Sequence, residues 1–140
     1  MTTFYIDVPD GNGSVLKSFV LIPSEVSGQP WLFTNPPDTE KFENLIITFI
    51  GASPKPGDYA ETTFKMSSSE WTFPEDEPIT VSNDPAHDVE LIAHESNFIT
   101  LKISSNTASD EDVCVIFHGC FEGERYSSPD PVIAIKRKPD

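Results

Sequence analysis

The chain has 140 residues, with 9 Lys+Arg against 23 Asp+Glu and a formal charge of −14. That length suits one domain, 1–140, around one core, and 10 Phe with 37% hydrophobic residues exclude a disordered tail. So negative a surface repels nucleic acid and anionic lipid, which are bound through neutralised phosphates, and it favours cations or basic partners.

From the start, Met1-Thr2-Thr3-Phe4-Tyr5 lacks the basic and apolar regions of a secretory leader. No stretch nears the roughly 18 apolar residues of a membrane span, so the expectation is a cytoplasmic protein with no membrane or nucleic-acid partner. Phe4, Ile6 and Val8 alternate with Tyr5 and Asp7 as a half-buried strand. Pro9-Asp10-Gly11-Asn12-Gly13 reads as a turn, and Val15 to Ile22 as a second strand, so the pair is expected to form a hairpin. Pro23 to Pro37 reads as irregular, with one helical turn allowed between Asp38 and Asn44.

Leu45 to Ile50 is apolar on both faces, the pattern of a central strand covered on both sides. Gly51 to Gly57, with Pro54 and Pro56, is a loop, and Thr62 to Met66 a strand that buries Phe64 and Met66. Ile79 and Val81 mark a short strand. Val89, Leu91 and Ala93, then Ile99, Leu101 and Ile103, mark two more, joined by a hairpin-length loop from His94 to Asn97. After the polar connection Ser104–Asp112, Val113 to Phe121 is a long strand, and Ile133 and Ile135 anchor the last. With 13 prolines cutting the chain and no amphipathic helix, the expected fold is all-β. It is a single antiparallel β-sandwich, immunoglobulin-like or jelly-roll, of about eight or nine strands.

Several constellations carry chemistry. Cys114, His118 and Cys120 share one face of their strand through even offsets. The two cysteines are then about 20 Å apart at ~3.3 Å per residue, too far for a disulfide. His118 and Cys120 could supply an i, i+2 pair to Zn²⁺, with two further ligands needed and His87 and His94 as candidates by elimination; a free cysteine as a small core hydrophobe is the plainer account. Asp10 to Val15 imitates the middle of an EF-hand loop, but Val8 and Phe19 occupy the two strongest ligand positions, so a turn explains it better. Oxygen-rich loops offer another cation site: Glu75-Asp76-Glu77, Asp84 with Asp88, and Asp110-Glu111-Asp112. Their alternative is solvated loop charge. Trp31 and Trp71, near Phe33 and Phe73, either anchor a protein or glycan partner from the loops or cap the core. No Gly-x-Ser-x-Gly, reactive-cysteine context or phosphate loop is present, so no catalytic residue is assigned.

The ending Asp130-Pro131-Val132-Ile133-Ala134-Ile135, with Glu77-Pro78, resembles the small uncharacterised bacterial β-sandwich proteins of the DP-EP family. The resemblance implies an immunoglobulin-like sandwich and transfers no functional residue. The expected function is a non-enzymatic binding or interaction module acting through its loops. Metal binding (Ca²⁺ at Asp84 and Asp88, or Zn²⁺ near His118 and Cys120) is second, and a hydrolase third. Self-association through an exposed C-terminal strand is a further expectation.

Overall fold

Alternation of apolar and polar residues is realised as twelve strands, with no helix among the described residues. The computed structural model describes residues 2–11, 13–51, 55, 57–107, 109–129 and 132–138, and only the backbone of Val132. Asn12, Pro54, Pro56 and the Asp130-Pro131 pair thus lie outside the described residues. Among the described residues no helix is long and apolar enough to cross a membrane.

The strands are β1 (Thr3–Val8), β2 (Ser14–Ile22), β3 (Leu32–Thr34), β4 (Asn44–Ile50), β5 (Tyr59–Met66) and β6 (Trp71–Thr72). There follow β7 (Ile79–Ser82), β8 (Val89–His94), β9 (Phe98–Ser104), β10 (Glu111–Phe121), β11 (Glu124–Ser127) and β12 (Val132–Lys138). One sheet runs β1-β4-β12-β10-β11, with β6 and β7 also pairing to β10; the other runs β3-β2-β5-β9-β8.

Four expectations are corrected. The sheets are mixed rather than antiparallel, since β1 runs parallel to β4, β4 to β12, and β2 to β5. The strand count rises because β3 and β6 are only 3 and 2 residues long and β11 is polar and largely exposed. β1 and β2 do not form a hairpin; they lie in different sheets. The buried Asp58 carboxylate accepts the Gly11 and Gly13 N–H groups at 2.8 and 3.0 Å, which ties the connecting loop to the start of β5. That anchor aligns Ser14 with Tyr59, where β2 takes its parallel partner. Finally, the segment expected to allow a helical turn is extended: Phe42 and Phe33 exchange backbone hydrogen bonds at 3.0 and 2.8 Å.

The C-terminal strand is also placed differently from expectation. β12 is not an edge; it lies between β4 and β10, paired with β10 over Val132–Ile135 and with β4 over Ile133–Lys138. β4 is central, as its composition requires, yet only Leu45, Ile47 and Phe49 are buried, while Ile46, Thr48 and Ile50 are half-buried. Its continuous apolar character accompanies its two parallel neighbours. In β8 the expected alternation breaks at a bulge between Leu91 and Ala93, leaving Leu91 and Ile92 exposed on an edge strand.

One cluster of buried residues joins the two sheets. Phe4 of β1 packs edge-on against Phe19 of β2 at 5.1 Å, and Phe64 of β5 meets Phe117 of β10 at 5.0 Å. Phe19, Phe33 and Phe64 close the column between them. Such pairs add about 0.5–1.5 kcal/mol each beyond their area. Gly119 lies where β10 passes beneath two indoles: an added Cβ would stand 3.0 Å from Trp71 Cε3 and 3.1 Å from Trp31 Cη2. Gly119→Ala is therefore expected to destabilise the fold by about 1–3 kcal/mol, read as a lower denaturation midpoint with unchanged slope.

Candidate functional site

Two clusters that are separate in sequence meet in space. Asp84 and Asp88, around the turn before β8, converge with Glu111 at the start of β10, their ligand-capable oxygens all within 4.8 Å of one another. The turn is locally specified. Pro85 fixes one φ, His87 adopts a left-handed φ of 54°, and Asp84 accepts the Asp88 and Val89 N–H groups at 2.8 and 3.0 Å. The turn is pinned to the neighbouring loop as well. Asp88 Oδ1 accepts the Asn106 N–H at 2.9 Å, the Asp88 carbonyl accepts that of Ser104 at 2.8 Å, and Asn106 Nδ2 donates to the Ala86 carbonyl at 3.1 Å.

Asp88 is 1% exposed, and its second oxygen, Oδ2, is buried without a hydrogen-bond partner. Glu111 Oε2 is likewise buried and unpartnered. A buried carboxylate oxygen can only accept, so two such groups brought together need a shared proton or a cation. In the metal-free protein the proton is the answer. Its hydrogen bond to Asp88, its desolvation and the charges of Asp88 and Asp84 together push the Glu111 pKa from 4.5 up to about 7. Asp110 is committed elsewhere, accepting the Arg137 N–H at 2.9 Å and lying 4.0 Å from Lys136 Nζ. Asp112, whose carbonyl accepts from Asn83 Nδ2 at 2.7 Å, has an exposed side chain.

The other expected site residues are placed as follows. Trp31 and Trp71 are 5% and 8% exposed and pack on each other at 5.6 Å, so they occupy the core-capping alternative rather than a surface that could grip a partner. Trp31 Nε1 donates to the Ser24 carbonyl at 3.0 Å, and Trp71 stacks on Phe121. Cys114, His118 and Cys120 do share the outer face of β10, opposite the buried Val113, Val115, Phe117 and Gly119, and both cysteines are free. Among the described residues neither His118 nor Cys120 enters a group of three possible metal ligands. Both His118 ring nitrogens are instead hydrogen-bonded to hydroxyls: Nε2 to Thr80 Oγ1 at 2.6 Å and Nδ1 to Ser127 Oγ at 2.7 Å. Glu75 and Glu77 are exposed, and Asp76 pairs with Arg125 at 3.1 Å, which holds its carboxyl below the ordinary range.

Thr80 and Ser127 were not singled out by sequence, and Glu111 was named only as one of the acidic run Asp110-Glu111-Asp112. Ser127 depended on the β10–β11 register, which sets it directly across from His118. No protein-family model and no curated protein matches the chain.

The raised Glu111 pKa has a definite stability consequence. An acid whose folded pKa exceeds its unfolded value contributes stability that is complete below about 4.5 and is lost as pH rises through about 7. Gln at this position donates to Asp88 as the protonated acid does, but at every pH. In chelator, Glu111→Gln is expected to melt close to wild type at pH 5 and a few degrees higher at pH 8. Taking the difference between the two proteins removes the opposing titration of His118.

Proposed function

We propose that this protein is a binding module for a hard divalent cation of the Ca²⁺ type, held by Asp84, Asp88 and Glu111 and framed by a β-sandwich of immunoglobulin-like or jelly-roll kind. The observation that carries the reading is the pair of buried, unpartnered oxygens, Asp88 Oδ2 and Glu111 Oε2, in one carboxylate cluster. Oxygens about 2.4 Å from Ca²⁺ lie no more than about 4.8 Å apart, and one oxygen from each of the three carboxylates lies within that distance of the others. An all-carboxylate set favours Ca²⁺ or Mg²⁺ over zinc or copper, which prefer nitrogen and sulfur. The charge of −14 raises the local cation concentration further. The resemblance of the C-terminal segment to the DP-EP family agrees with the sandwich reading and adds nothing to the site.

The backbone supports this use. Asp84 orders the turn through bonds that leave further lone pairs on both its oxygens, and Asp88 spends one oxygen on Asn106 while the other is buried and unpartnered. Ion binding would replace the shared proton and neutralise the repulsion among three carboxylates. In the melting test, Ca²⁺ at about 100 times its Kd should stabilise the protein by about 2.7 kcal/mol, a rise of several degrees. Asp88→Asn keeps an acceptor for Asn106 yet should lose most of that rise, as should Asp84→Asn. Asp76→Asn, on an exposed acidic loop, should keep it. An unchanged wild-type melting temperature in millimolar Ca²⁺, Mg²⁺ and Mn²⁺ at pH 8 removes the reading.

A further inference from the structure

We propose that Ser127 and His118 form a base-activated nucleophile that accepts the acyl group of small carboxylic esters on the outer face of β10 and β11. The proposal is independent of the cation site.

Four side chains from three segments make one hydrogen-bonded chain. Glu77 Oε1 accepts from Thr80 Oγ1 at 3.0 Å, Thr80 Oγ1 meets His118 Nε2 at 2.6 Å, and His118 Nδ1 meets Ser127 Oγ at 2.7 Å. Its polarity follows from donor chemistry. An ionised carboxylate has no proton to give, so the Thr80 hydroxyl spends its own on Glu77. Thr80 can then only accept from the ring, which places the imidazole proton on Nε2. Nδ1 is left as the acceptor, and Ser127 donates to it. A hydroxyl donating to an imidazole whose far nitrogen is oriented, through one hydroxyl, toward a carboxylate is the arrangement that activates serine.

The surroundings suit the task. The His118 side chain is 12% exposed, whereas Ser127 is exposed, so the base is sheltered and the nucleophile is presented to solvent. Burial and then the charge of Arg125 lower the His118 pKa from 6.5, with Glu77 and Asp76 opposing, which leaves the ring a neutral base at pH 7. Arg125, two residues before Ser127 on β11, is fixed by Asp76 Oδ1 at 3.1 Å and the Glu77 carbonyl at 2.9 Å, and it brings positive charge to the face where an oxyanion would form.

The steps balance without a cofactor. Ser127 Oγ bonds to the ester carbonyl carbon while Nδ1 takes its proton. The carbon–alkoxy bond then breaks, and the imidazolium returns that proton to the departing alcohol. Water next adds to the acyl carbon with Nδ1 as base; the Oγ–acyl bond breaks, releasing the acid and restoring the Ser127 hydroxyl. Ser127 and His118 are the catalytic residues, and Thr80 and Glu77 are positioning residues.

The probe is p-nitrophenyl acetate at pH 7.5, with nitrophenolate release followed in time and the acetyl group located by peptide mass spectrometry. Wild type should carry one acetyl group on Ser127, with an acylation rate that rises with pH around a midpoint below 6.5. Ser127→Ala should abolish that label, and His118→Gln should slow release by at least about 100-fold. Thr80→Val should slow it and move the pH midpoint, and Thr80→Ser should restore both. Acetylation confined to lysines, tyrosines or His118 in the wild-type protein overturns the proposal whether or not any variant folds. So does an unchanged rate in folded Ser127→Ala. A chain that only cross-links strands predicts no acetyl label on wild-type Ser127, and that result also overturns the proposal.

Discussion

The aromatic column between the sheets is the contact on which the remaining structure depends. Phe4, Phe19, Phe33, Phe64 and Phe117 contribute from both sheets, and their contacts fix which side of β1, β2, β3, β5 and β10 faces inward. Side chains alternate with period two, so a strand that turns Phe117 into the core must turn its neighbour His118 to the outer face. A slip of one residue in β10 would bury His118 and expose Val115 and Phe117, forfeiting several kcal/mol of apolar burial at roughly 1.5–3 kcal/mol per side chain. The chemistry of the outer face is therefore held in place by packing on the inner one.

At the end of the same strand the constraint is electrostatic rather than apolar. Glu111 begins β10, seven residues before His118, about 23 Å away at ~3.3 Å per residue. One rigid strand thus serves two unrelated polar sites, and at that separation their substitutions should act additively. The carboxylate cluster tolerates its own repulsion because Asn106, Ser104 and the Asp84 turn hold Asp88 from several directions. Removing any one of these bonds leaves the others to keep the oxygens aimed together.

Much of this was legible along the chain. Alternation located β9, a run apolar on both faces located β4, and the outward face of β10 followed from the even spacing of Cys114, His118 and Cys120. Topology was not legible, because whether β2 joins β1 or β5 turns on Asp58, a single carboxylate 45 residues from Gly13. β11 carried no apolar rhythm: Glu124, Arg125 and Ser127 are exposed, and only the left-handed pair Glu122 and Gly123 reverses the chain there. Asp84 and Asp88 stood out as a pair, but their meeting with Glu111 depends on folding. Ser127 was hidden for the same reason, since its partner His118 is set by strand register.

The internal position of β12 bears on how the molecule is made. β4 runs early in the chain and β10 much later, and neither completes its ladder until Val132–Lys138 slides between them. On the ribosome, β4 must therefore wait with one edge unpaired while nearly ninety further residues, at about 5–20 per second, emerge. The β2–β5–β9–β8 sheet has all its strands available well before then. The nascent chain thus has a natural order of assembly, and its exposed intermediate is an apolar parallel strand of the kind chaperones and misassembling neighbours both recognise.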